Sequence, residues 1–106
     1  MSTTFDKVRE LAKLGDWSGS DHALLRLEEN GIIASDLADG IDLGLVVEDY
    51  PDYYAGPCVL VLQADGGGPV HALWGLKKGT DRPAVLITAY RPDPTRWLDD
   101  NRTRRR

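Results

Sequence analysis

The chain is predicted to be a single α+β domain, with N-terminal helices packed on a four-stranded antiparallel sheet. Three observations carry this. Helical periodicity fills residues 1–42, the period turns strand-like at Leu43, and the strands beyond that point are joined by short connections. A length of 106 residues fits one domain, able to bury roughly two-thirds of its unfolded surface in one core. It divides into a helical part over 1–42, a sheet over 43–91 and a C-terminal segment with a basic tail over 92–106.

Phe5, Val8, Leu11, Ala12 and Leu14 recur at the helical period, so the first helix is expected over 4–14. Thr3 or Thr4 would cap it and Gly15 would end it. Residues 16–19 read as a connector in which Trp17 folds back on the core. The second helix has a marked start and stop. Ser20 caps it, Asp21 sits where negative charge is favoured, and Gly31 closes it in the left-handed conformation. Ala23, Leu24 and Leu27 form its apolar stripe, and His22 and Arg26, four residues apart, share a face. A third, two-turn helix is expected from Asp36 to about Ile41, capped by Ser35.

Strands are expected at 45–50, stopped by Pro51, and at 58–64, the most β-prone run in the chain. Asp65-Gly66-Gly67-Gly68 is a turn, which makes 58–76 a hairpin. The last strand runs over 84–90, and Thr95 to Asp99 form a single turn. Strict alternation places Thr88 and Tyr90 with Leu86, opposite Val85, Ile87 and Ala89, and places His71 with Leu73 and Gly75. Which face meets the helices stays open.

Composition excludes several classes. No apolar run approaches the roughly 20 residues of a membrane span, and residues 1–13 alternate charge with apolar residues, unlike a signal peptide. A cytoplasmic protein without a membrane partner is expected. Cys58 is the lone cysteine, read as a buried small hydrophobe. The net charge of −4 is uneven: 14 acids face 7 basic residues through Tyr90, and 3 acids face 6 arginines from Arg91 onward. The acidic body argues against broad non-specific nucleic-acid binding. Arg102 and the arginines after it read either as a solvated end or as a phosphate-seeking arm.

The chemistry-bearing candidates are few. An imidazole titrates near neutrality and serves as acid or base, and His22 lies one helical turn from the planar cation of Arg26. His71 interrupts an apolar strand, and reads either as a buried, hydrogen-bonded histidine or as a second acid/base group. Tyr90 is a strand aromatic or a site hydroxyl. Trp97 is a clasp for the C-terminal segment or a stacking surface for a base. No His and carboxylate cluster suggests a metal, and no cofactor is expected.

The run Ser20-x-His22-Ala23-x-x-Arg26, then Asn30-Gly31-Ile32 and Asp36, resembles the opening motif of the small bacterial domains called domain of unknown function 4258. The likeness continues through Val47-Glu48-Asp49-Tyr50-Pro51, Val70-His71-Ala72, and Ile87-Thr88-Ala89-Tyr90, then Pro92 and Trp97, covering 20–98. That family has been grouped with barnase-like and RelE-like ribonuclease toxins, whose helices pack on a four-stranded antiparallel sheet. The resemblance implies a metal-independent ribonuclease of toxin type. It implies catalytic roles for His22, Arg26, His71 and Tyr90, with Thr88 and Trp97 toward the substrate; Arg102, beyond the likeness, is a substrate-binding candidate through the phosphate-seeking reading of the tail. RNA and a cognate antitoxin or other protein are the implied partners. Arg26 would bind the phosphate, His22 and His71 would move protons, and Tyr90 would orient one of them or donate to the phosphate. The alternative is a non-catalytic interaction or immunity-like module in which the same residues form a structural polar network, the acidic body docking on a basic protein. The nuclease reading asks that His22 and His71 converge with Arg26 on an open, concave surface.

Overall fold

A computed structural model describes residues 2–104, and within them the chain forms three α-helices, a 3-10 turn and a five-stranded mixed sheet. Arg105 and Arg106, part of the basic-tail expectation, lie outside the described residues. The order is α1 (Thr3–Lys13), β1 (Trp17–Gly19), α2 (Asp21–Asn30), α3 (Ala34–Asp39), the 3-10 turn (Ile41–Leu43), β2 (Leu45–Tyr50), β3 (Cys58–Asp65), β4 (Gly68–Leu76) and β5 (Ala84–Tyr90). Strands lie across the sheet as β1-β5-β4-β3-β2.

β2 to β5 form the expected antiparallel meander. The correction is β1. Residues 17–19 were expected as a connector and instead pair in parallel with β5, Trp17 against Ala84 and Gly19 against Leu86. Three residues containing Ser and Gly carry no alternation, so only the neighbouring strand makes them a strand. Trp17 does pack inward, edge-on to Trp74 at 6.1 Å between ring centres.

The helix ends shift by a residue or two. Ser2, rather than Thr3 or Thr4, caps α1 by accepting from the Phe5 amide at 3.0 Å. Leu14 closes α1 as an exposed residue and leaves the apolar stripe. α3 begins at Ala34 with Ile33 in the cap position and no side-chain cap, so Ser35 lies inside it. α2 keeps its expected ends: Ser20 Oγ accepts from the Ala23 amide at 3.0 Å, and Gly31 takes φ 65°. Leu24 faces solvent, so Ala23 and Leu27 alone are its buried stripe.

The helices cover one face of the sheet. Val59 and Val61 of β3, Val70, Ala72 and Trp74 of β4, and Leu86 and Ala89 of β5 are buried there with Val8 and Leu11 of α1. Each such large side chain contributes about 1.5–3 kcal/mol on burial. Gln63 bridges the layers, accepting from Trp74 Nε1 at 2.9 Å and donating to the Leu37 carbonyl at 2.7 Å.

A register shift between Leu73 and Trp74 breaks the expected alternation of β5. Leu86 pairs with Trp74 on the helix side, while Thr88 pairs with Leu73 and Tyr90 with His71 on the other. Thr88 and Tyr90 therefore face away from Leu86, because a bulge swaps the sides of the residues beyond it. The far face is crossed at one end by the C-terminal segment. There Trp97 bridges to Arg104 and Arg102 donates to the Val46 carbonyl of β2. Cys58 is buried as expected.

Candidate functional site

The site is assembled by β1 and the residue after it. Because β1 pairs with β5, Ser20 arrives against β5, its amide donating to the Leu86 carbonyl and its hydroxyl to the Ile87 carbonyl, both at 3.0 Å. The same hydroxyl caps α2. One side chain thus fixes the start of α2 beside Thr88, and His22 and Arg26 project from that helix next to Tyr90.

There a cavity of about 400 Å³ opens. His22 and Arg26 of α2, Thr88 and Tyr90 of β5, and Arg91, Asp93, Arg96, Trp97 and Arg104 of the chain beyond β5 line it. His22, Arg26, Asp93, Arg96 and Arg104 are exposed, so the cavity is open to solvent. Four arginines against one aspartate line it, a cationic patch within an acidic protein.

The cations differ in their commitments. Arg91 donates to both carboxylate oxygens of the largely buried Asp65 at 2.9 and 3.1 Å, which holds the Asp65 carboxyl below the usual carboxylate range. Arg104 grips both oxygens of Glu48 at 3.0 and 2.8 Å and lies 4.6 Å over the Trp97 ring. That hydrogen bonding lowers the Glu48 pKa and raises that of Arg104. Arg26 meets only the exposed Glu29, at 3.6 Å, a pair worth little at a surface. The Arg96 guanidinium has no hydrogen bond or ion pair among the described residues.

Of the candidates named from sequence, His22, Arg26, Thr88, Tyr90 and Trp97 come together here. His71 does not line the cavity, so the expected convergence of two imidazoles with Arg26 on an open surface is not met: of the two histidines only His22 reaches it. His71 is fully buried behind the cavity, its ring edge-on to Tyr90 at 5.5 Å and to Trp97 at 4.4 Å. Nε2–H donates to the Asn101 carbonyl at 2.6 Å, which leaves Nδ1 unprotonated, and Nδ1 has no partner among the described residues. Burial pushes the His71 pKa down. Trp97 is 3% exposed and clasps the C-terminal segment, so its ring faces are covered rather than offered to a base. Arg102 lies outside the cavity, its guanidinium on β2. Burial raises the Tyr90 pKa, keeping the hydroxyl protonated and able to donate at neutral pH.

Arg91, Asp93 and Arg96 were not singled out from sequence, and Arg104 was read only as part of the basic tail, a solvated end or a phosphate-seeking arm. The signal that pointed to them was the change of charge balance at Arg91. Among the described residues no group of three or more His, Cys, Asp or Glu could hold a metal ion, and no helix is long and apolar enough to cross a membrane.

A family model described as "Domain of unknown function (DUF4258)" matches residues 20–91, from the cap of α2 to the first arginine after β5. No curated protein and no solved structure matches the chain.

Proposed function

The chain belongs to the DUF4258 family, and from that premise we propose that the cavity between α2, β5 and the C-terminal segment is the phosphodiester site of a metal-independent ribonuclease of toxin type. The observation that carries the reading is the exposed pair His22 and Arg26, one helical turn apart, opening into the same cavity as the Tyr90 hydroxyl. RNA is the proposed substrate, a cognate antitoxin or other protein the proposed partner, and the bacterial cytoplasm the proposed location. The likeness to barnase-like and RelE-like enzymes belongs to this proposal.

In the proposed reaction Arg26 binds a non-bridging phosphate oxygen with its planar fork. His22 takes the proton of the 2′-hydroxyl, whose oxygen attacks phosphorus. The bond to the 5′-oxygen breaks, that oxygen takes a proton from solvent, and a cyclic phosphate remains. Tyr90 donates to the phosphate as negative charge grows on it, and such preorganised donors stabilise the transition state. His71 takes no part in proton transfer, since a fully buried ring cannot reach a nucleotide. It packs against Tyr90 and holds that side chain in place. Proton transfer rests on His22 alone.

The test is cleavage of a fluorogenic single-stranded RNA in the presence of a chelator. Removing one acid/base group typically costs about 10²–10⁴-fold in rate. His22→Ala should lose activity by that factor and keep its melting temperature. Equal cleavage by both proteins rules the assignment out.

One observation favours the second reading, a non-catalytic interaction or immunity-like module. His71, fully buried against Tyr90 and Trp97 and hydrogen-bonded to the Asn101 carbonyl, sits as the structural residue that reading expects, although His22 and Arg26 are exposed and take no part in the cluster. Under it, wild-type protein leaves RNA intact under all conditions, and binding to a basic protein weakens steeply with salt.

A further inference from the structure

We infer that Arg96 carries a second phosphate-binding position beside that of Arg26, so that the cavity takes single-stranded RNA through at least two successive phosphates. The inference rests on the ribonuclease reading and narrows its substrate class.

The four guanidinia of the cavity are not equivalent. Arg91 is engaged by Asp65 and Arg104 by Glu48, each through two hydrogen bonds. Arg26 has only a loose partner, exposed at the surface. Arg96 makes no guanidinium hydrogen bond or ion pair among the described residues; it acts on Asp93 only through space, as the weakest of the influences that hold that carboxyl low, and the Asp93 carboxylate is hydrogen-bonded elsewhere. Asp93 accepts from the Thr95 amide at 2.9 Å and the Thr95 hydroxyl at 2.8 Å. Two cations are therefore available to a ligand, and they come from different elements, α2 and the turn after β5.

That turn is held, so Arg96 is presented rather than loose. Its amide donates to the Asp93 carbonyl at 2.9 Å, and the next residue, Trp97, is buried against His71. A cavity of about 400 Å³ is larger than one phosphate needs. One guanidinium with one imidazole already satisfies a single phosphodiester, through a bidentate fork and one further donor. The second guanidinium then has the next phosphate of the strand as its natural counterpart. Arg26, Thr88 and Tyr90 fall inside the matched residues 20–91 while Arg96 falls beyond them.

Salt dependence reads the number of phosphates neutralised, because each contact on a single strand contributes about 0.7 to the slope of log affinity against log salt. The probe is a fluorescently labelled RNA tetranucleotide with 2′-O-methyl sugars, which binds without being cleaved. Fluorescence anisotropy between about 50 and 200 mM salt tracks its affinity. Arg96→Ala should lower the magnitude of the slope by about 0.7, Arg26→Ala should lower it by a similar amount, and Arg96→Lys should keep the wild-type slope. Circular dichroism confirms each fold, and the exposure of Arg96 makes the alanine benign. A slope unchanged in Arg96→Ala but lowered in Arg26→Ala overturns the second position and leaves the ribonuclease reading standing. No salt-dependent binding by the wild type overturns both.

Discussion

His71 shows how one residue type splits into two roles by position. On an apolar strand it could be read either way, and the covering segment settles its surroundings: Asn101, Trp97 and Tyr90 enclose it. Its unpartnered Nδ1 is an unmet buried polar atom, which costs about 1–3 kcal/mol. Protonation would place a charge there with Arg104 nearby to oppose it and Glu48 to favour it. Burial dominates and holds the folded pKa below the unfolded value near 6.5. Below that value the unfolded chain binds the extra proton first, so stability present above about pH 6.5 is lost as pH falls through the folded pKa. Glu48 and Asp65, held low by their arginines, give up their share only at more acid pH. The melting temperature of the wild type should therefore fall as pH drops below the unfolded value of about 6.5, and His71→Gln should flatten that fall. Equal pH dependence in the two proteins would refute this account of His71.

At the scale of elements, Ser20 connects fold and site. It caps α2 and ties that helix to β5 with the same hydroxyl. Ser20→Ala should cost about 0.5–2 kcal/mol, or about 4–8 °C in melting temperature for each kcal/mol. Thermal denaturation checks it, and an unchanged melting temperature would show that the cap does no such holding. The cap was legible in the sequence because Ser before a periodic segment with Gly at its end has a local cause. So were β2 and β5, where β-branched runs bounded by proline coincide with the observed Leu45–Tyr50 and Ala84–Tyr90. The features that escaped had non-local causes. β1 exists only through its pairing with β5, and the side on which Thr88 and Tyr90 lie depends on a register shift that no alternation announces. Arg96 and Arg104 reach the cavity because the last segment folds back across the sheet, anchored by the buried Trp97. Their bias in charge was visible and their destination was not.

Over the whole molecule, the body is acidic and four arginines gather at the cavity beside β5. A net charge of −4 repels nucleic acid at long range, and screening limits that repulsion to roughly 10 Å at ordinary salt. RNA must then be recognised by contact at a small cationic cavity rather than by a broad basic surface. The mixed sheet serves the same end: the parallel β1 brings α2 to β5, and the strap after β5 supplies the other wall. The family match covers α2 through β5, the part that holds His22, Arg26, Thr88 and Tyr90.

The central claim, that this cavity receives the phosphodiester, is tested most directly by mapping amide and side-chain NMR shifts as a 2′-O-methyl RNA is added. The account predicts that the perturbed signals cluster at His22, Arg26, Tyr90 and Arg96. Shifts confined to another surface, such as the exposed Tyr53 and Tyr54, or no shifts at saturating RNA, would contradict it.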